Sequence, residues 1–312
     1  MDLTEIARGK WEGIFRHFGI KIEPKKQMPC PMCGGNDRFI FDNKQGRGTF
    51  FCRQCGAGTG YQLISRIKNM PLKDTIREVK KVVGTVEQKT VDKEMTDQQT
   101  KKLLNETWKE ATEMREGDPA WTYLHDRTGW RDYSRNLRFH PTLWHQESRS
   151  RMPALIAKVT DQDNKPVSIH RTYLTPEGKK AHVPHPKMLM AGNIPDGSAV
   201  RLASFHDTLG IAEGIETALS AHAIFGIPVW AAISAPMLVK WKPPPMVSKV
   251  VIFGDADHNF VGQSASYRLA QQLHKSGEYE KIEVVIPSIN GADWNDVLML
   301  HGTQGAKERW RL

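Results

Sequence analysis

Residues 250–260 read VVIFGDADHNF: four apolar residues, a glycine, then Asp255 and Asp257 with only Ala256 between them. An apolar run bounded by turn residues reads as a buried strand of the parallel type. Two carboxylates at the end of such a strand repel each other, so the arrangement needs a compensating partner. Either the aspartates cap the turn and helix that follow, or they hold a cation.

The flanking sequence extends the pattern. LGIA (209–212) is a short apolar strand leading to Glu213 and Gly214, and an amphipathic helix follows. IPVWAAIS is a second strand, KVVIF a third, and GQSASYRLAQQLHKSG a helix; KIEVVIPS is a fourth strand that leads to GADWNDVLML. This alternation predicts an α/β fold with a doubly wound parallel sheet over residues 200 to 300. Glu213, Asp255, Asp257, Asp293 and Asp296 then fall at strand ends or in the loops after them, on the edge where open sheets bind ligands. Hard carboxylate oxygens without cysteine or clustered histidine select magnesium or manganese, and a cation removes the repulsion. Capping is the competing reading for Asp257 or Asp293 taken singly.

Upstream, ALIAKVT and VSIHRTYL are joined by the turn DQDNKP and read as a β-hairpin. His170, Arg171, Lys179 and Lys180 lie near its end, and HPKML adds Lys187. Singly, each cation reads as a solvated surface group; together, just before an acidic cluster, they suit phosphates of a template or nucleotide. Residues 85 to 99 are polar, with almost no large apolar side chain, and read as a linker. A helix then runs to about Arg115, and another begins with Asp118 as N-cap and Pro119 at its first position.

All four cysteines lie between positions 30 and 55. Cys30 and Cys33 form one CxxC pair and Cys52 and Cys55 the other, with RFIF and GTFF between them as a hairpin. Four thiolates in that spacing make a closed structural zinc site, with two disulfides as the alternative. Arg38, Lys44, Arg47 and Arg53 surround Phe39, Phe41, Phe50 and Phe51, a mixture able to stack on and neutralise single-stranded nucleic acid. The plain alternative is that the aromatics are the ribbon's core.

The chain has 312 residues, enough for about two domains. It carries 44 basic against 35 acidic residues, a net +9, which permits a polyanionic partner without requiring one. Neither a membrane-spanning apolar stretch nor a signal-peptide pattern is visible, so no membrane role and a cytoplasmic location are the expectation.

With AEGIETAL, FGDAD and GADWNDVL, the sequence resembles the Toprim domains of phage, plasmid and satellite-element DNA primases. SIHRTYLTPEGKKA and PKML resemble the basic region preceding that domain, and CPMCGGNDRFIFDNKQGRGTFFCRQCGAGTG their amino-terminal zinc ribbon. The resemblance implies a zinc-ribbon domain with flanking helices over 1–84, the linker over 85–99, a helical and hairpin basic subdomain over 100–199, and a Toprim domain over 200–312. It implies DNA-dependent RNA primer synthesis by metal-assisted nucleotidyl transfer in the replication of a phage, plasmid or other mobile element. Glu213, Asp255, Asp257, Asp293 and Asp296 would be catalytic, with Glu213, Asp255 and Asp257 holding Mg2+ or Mn2+. Arg171, Lys187, His170, Lys180, Arg38, Arg47 and Arg53 would bind nucleic acid or nucleotide, and Cys30, Cys33, Cys52 and Cys55 structural Zn2+. Partners would be a single-stranded DNA template, ribonucleoside triphosphates and a separate replicative helicase, because the sequence holds no GxxxxGK[ST] loop. A non-catalytic single-strand-binding replication protein and a Toprim nuclease are the alternatives.

Overall fold

A computed structural model describes residues 7–83 and 96–310. The chain divides into two compact units, Met1–Thr96 and Asp97–Leu312. The segment 85 to 95, expected to be linker, lies outside the described residues. Among the described residues no helix is long and apolar enough to cross a membrane.

In the first unit, helix α1 (Trp11–His17) precedes a four-stranded antiparallel sheet in sequential order. Its strands are β1 (Gln27–Cys30), β2 (Gly34–Phe41), β3 (Phe50–Cys52) and β4 (Gly56–Gly58). Two helices follow, α2 (Gly60–Ile67) and α3 (Leu72–Val82), separated at Pro71, where the ring cannot continue a helix. Thr59 and Gln62 form a capping box that starts α2 immediately after the sheet. Phe39, Phe41 and Phe50 are buried with Trp11, Phe15, Leu63 and Ile64. Trp11 meets Tyr61 edge-on at 4.8 Å, and Phe15 meets Phe41 edge-on at 5.1 Å. Three of the four ribbon phenylalanines are therefore core and only Phe51 is half-buried, which removes most of the aromatic surface considered for base stacking.

In the second unit, ten strands form one mixed sheet. Helix α4 (Asp97–Glu110) begins inside the stretch read as linker, so residues 97 to 99 are helical; it ends at Glu110, short of Arg115. There follow β5 (Thr112–Glu113), α5 (Pro119–Thr128), β6 (Leu137–His145), β7 (Ser150–Thr160), β8 (Pro166–Tyr173), β9 (Lys187–Leu189) and β10 (Ala199–Val200). After them come β11 (Thr208–Ala212), α6 (Ile215–Phe225), β12 (Val229–Ala231), α7 (Ala235–Val239), β13 (Lys249–Phe253), α8 (Val261–Ser276), β14 (Lys281–Val285) and α9 (Trp294–Arg309), kinked at Gly302.

The order β14-β13-β11-β12 is parallel throughout, as the alternating pattern predicts. The sheet does not stop there: β10 pairs antiparallel with both β12 and β7, and joins the parallel half to the hairpin strands. The boundary expected between 199 and 200 thus cuts a strand, and the hairpin and the parallel strands share one hydrogen-bonded layer. Each strand of the parallel half must satisfy two cores. In β13, Val251 and Phe253 point to the face covered by α5, α6 and α9, while Val250 and Ile252 point to the face covered by α7 and α8. Trp294 of α9 holds the first face, edge-on to Phe225 at 5.1 Å and to Phe253 at 6.0 Å.

Candidate functional site

In the ribbon, the four cysteine sulfurs lie within 4.8 Å of one another. Cys30 and Cys55 are 4.0 Å apart and Cys33 and Cys52 3.7 Å, about the edge of a tetrahedron with ~2.3 Å zinc–sulfur bonds. These separations exclude S–S bonds of about 2.0 Å and leave the cysteines as thiols. The backbone N–H groups of Met32 and Gln54 point at the Cys30 and Cys52 sulfurs, which orients the ligands. The four cysteines form a zinc-binding site. Arg38 packs over Gly35 and hydrogen-bonds Gln54 beside this site; Arg53 is exposed and paired with Asp37 at 2.7 Å, and Arg47 is exposed.

The acidic edge of the second unit is assembled by the parallel strands. Glu213 follows β11, Asp255 and Asp257 follow the adjacent β13, and Asp293 follows β14 as the N-cap of α9. Two backbone hydrogen bonds lock the last two turns together: Ala256 N–H donates to the Ala292 carbonyl (2.9 Å), and Gly291 N–H to that of Ala256 (2.6 Å). On the other side, α8 approaches so closely that a Cβ at Gly262 would sit 2.8 Å from the Asp255 carbonyl oxygen, so only glycine fits. The Asp257 carboxylate accepts from Gly262 N–H at 2.9 Å. Asp293 accepts from Asp296 N–H at 2.8 Å, and Asp296 from Asp293 N–H at 3.1 Å, a reciprocal capping box.

Capping therefore accounts for the positions of Asp257, Asp293 and Asp296. It does not account for Asp255, whose Oδ1 is buried without a hydrogen-bond partner. Burial first, then the charges of Glu213, Asp293 and Asp257, push its carboxyl well above the ordinary range, with Lys187 opposing weakly. Asp293 is raised too, chiefly by burial. Four carboxyls thus crowd one edge, and the most deeply placed oxygen has nothing to bond. That donor set fits a hard divalent cation. Among the described residues no three carboxylates come as close together as the cysteines do.

Basic groups stand beside this edge. Lys187 of β9 pairs with Glu216 at 2.8 Å, and Tyr123 donates to the same carboxylate. Burial alone would raise Glu216, but the Lys187 charge and these hydrogen bonds overcome it and hold Glu216 ionised, below the ordinary carboxylate range. Lys180 is lowered by burial and lies in the field of Lys187, Glu216, Arg127 and Asp293. Arg171 is half-buried, donates to the Tyr173 hydroxyl at 3.1 Å and has a buried Nε without a partner. His170 is a correction: it is buried in β8 between β7 and β9, and burial holds its imidazole neutral, with a pKa near 3. A ring buried inside the sheet does not present a cation to a phosphate.

Sequence reasoning missed Glu216, Tyr123 and Arg127. The second glutamate of EGIE was the one local signal for Glu216. Arg127 stacks on the Tyr123 ring at 5.6 Å, and its backbone carbonyl accepts from Asn295, which connects α5 to the turn of α9.

Residues 208–304 match the family model described as Toprim domain, and residues 25–61 that described as zinc-binding domain of primase-helicase. Residues 98–202 match a domain of unknown function, DUF7146. The chain carries a Toprim domain and a primase-type zinc ribbon. Among solved structures, the zinc-binding and RNA polymerase domains of the Aquifex aeolicus primase are similar at 14% identity over 99% of this chain and 85% of that one, TM-score 0.43. The primase fragment of the bacteriophage T7 primase-helicase is similar at 14% identity over 91% and 98%, TM-score 0.41. The E. coli primase catalytic core is similar at 12% identity over 60% and 67%, TM-score 0.38. Primase-like domains support a DNA primase function.

Two predictions follow from these sites. Cys30→Ser releases zinc, measured by metal content, and lowers the unfolding transition of the ribbon unit while the Toprim unit still unfolds cooperatively; one merged loss of structure contradicts this. A carboxyl whose folded pKa is raised binds protons preferentially in the native state, so stability falls as pH rises from about 3.9 through the raised value. Without divalent metal, Asp255→Asn flattens that slope and raises the melting temperature at neutral pH, by a few degrees. A lower melting temperature for the variant contradicts the assignment.

Proposed function

We propose that the protein is a DNA-dependent RNA primase that makes short primers on single-stranded DNA for a phage, plasmid or other mobile element. The observation that carries this reading is Asp255, a buried carboxyl with an unpartnered oxygen amid Glu213, Asp257 and Asp293 at the ligand-binding edge of a Toprim sheet.

In this reading Asp255, Asp257 and Glu213 hold Mg2+ or Mn2+. A cation there would supply positive charge to offset that of the triphosphate while a 3′-hydroxyl attacks the α-phosphate and pyrophosphate leaves. Asp293 adds negative charge to the edge while capping α9, and Asp296 positions Asp293 through the capping box. Lys187, held by Glu216, and Lys180 present cations toward the phosphates, and Arg171 supports them from β8. Arg127 stands beside the same carboxylates. Arg38, Arg47 and Arg53 give the zinc ribbon its basic surface for the template. The template is single-stranded DNA, the substrates ribonucleoside triphosphates, the helicase partner a separate protein, and the location the cytoplasm.

Primer synthesis by Asp255→Ala on single-stranded templates with labelled ribonucleotides should fall at least about 100-fold, with the far-ultraviolet spectrum unchanged. Retained synthesis contradicts the reading. Cleavage of labelled DNA by the wild type in magnesium, without nucleotide incorporation, points instead to a nuclease.

A further inference from the structure

The turn Asp257–Phe260 closes with Phe260 N–H donating to the Asp257 carbonyl at 3.0 Å. It ends in a feature that the acidic edge does not explain. Phe260, the N-cap of α8, has φ 60° and ψ 19°, the left-handed region that an aromatic residue enters only at a cost. A phenylalanine offers no side-chain oxygen to the first-turn N–H groups, and Phe260 makes no side-chain cap hydrogen bond. Nor is it core: it is 70% exposed. Its neighbour His258 fills the space that a side chain at Gly291 would need, so this loop is fastened to the Asp293 turn while the Phe260 ring faces solvent.

The exposed face of α8 continues from that ring. Ala265, Leu269 and Leu273 are buried against the sheet, and seven positions after Phe260 Tyr267 is 60% exposed. At 1.5 Å per residue the two rings are separated by about 10 Å along the helix. Arg268 and Lys275 are exposed on the same side, and residues 258 to 277 contain no aspartate or glutamate. Two exposed aromatics with cations, free of acidic residues and running away from a carboxylate edge, match what single-stranded nucleic acid requires: rings for base faces and positive charge for the backbone.

We propose that Phe260 and Tyr267, with Arg268 and Lys275, form a stacking platform on α8 for the bases of single-stranded DNA beside the acidic edge. This rests on the primase reading above. The strained conformation of Phe260 places the first ring at the mouth of the site, where the last ordered base of the template would stack. The second ring and the cations extend the track along the helix. The cations give affinity that any strand shares, and the rings give affinity that only strands with bases share.

The test is binding of the full chain in magnesium to a fluorescent single-stranded oligonucleotide and to its abasic counterpart, with the affinity for a ribonucleoside triphosphate measured in parallel. Phe260→Ala combined with Tyr267→Ala should weaken binding of the base-bearing strand by about 10- to 100-fold and leave abasic binding within about twofold. Phe260→Trp should retain affinity, which guards against a folding artefact, and Phe260→Gly should melt no lower than wild type because it relieves the left-handed strain. Arg268→Ala with Lys275→Ala should weaken both strands and reduce the salt slope by about 1.4. Equal loss for base-bearing and abasic strands, or unchanged DNA binding with weakened nucleotide binding, overturns the platform while the primase reading stands. A wild-type chain that binds neither ligand overturns both.

Discussion

The structure of the Toprim unit turns on one electrostatic conflict: Asp255, with a buried, unpartnered carboxyl oxygen, stands at the end of strand β13 among three other carboxyls. Every nearby element makes sense as a way of enforcing that conflict. Gly262 lets α8 press against the Asp255 backbone, the paired hydrogen bonds of Ala256 fix the α9 turn beside it, and β11 brings Glu213 into register. A stable protein without a ligand at this place would have an apolar residue or a capping aspartate there. The apolar faces on both sides of β13 are filled, by Phe253 and Trp294 on one side and by Ile252 and Leu269 on the other.

The neighbouring pair shows the opposite solution to the same problem. Glu216 is more deeply buried, yet Lys187 and Tyr123 satisfy it, so it stays ionised without a metal. In the proposed reading the two carboxylates divide the labour: Asp255 would take a cation, and Glu216 anchors the lysine that would meet an anion. Replacing either partner of the anchored pair leaves a buried charge uncompensated, which is more disruptive than removing both.

The parallel half of the fold was legible because its strands are apolar on both faces and are separated by helices of ordinary period. Glu213, Asp255 and Asp257 were legible for the same reason, since each sits one to four residues past a strand whose end the pattern marks. Glu216 was not, because its meaning depends on Lys187 and Tyr123, 29 and 93 residues away. His170 was misread because Ser168, His170 and Thr172 share one face of β8, and that face is buried although its residues are polar. The short bridging strand β10, only two residues long, has no period to read, so the continuity of the sheet from the hairpin to the parallel strands was not visible. The ribbon phenylalanines were ambiguous because a small sheet must use its few aromatics as core.

The central proposal is that Asp255, its carboxyl pushed upward by burial and by Glu213, Asp293 and Asp257, takes part in holding a divalent cation. The direct measurement is the number of protons released when Mg2+ or Mn2+ binds the zinc-loaded chain, from calorimetry in buffers of different ionisation enthalpy between about pH 5 and 7. A raised carboxyl pKa predicts proton release on metal binding that diminishes as pH rises and is absent or smaller in Asp255→Asn. Metal binding without proton release, or with the same release in the variant, would contradict it.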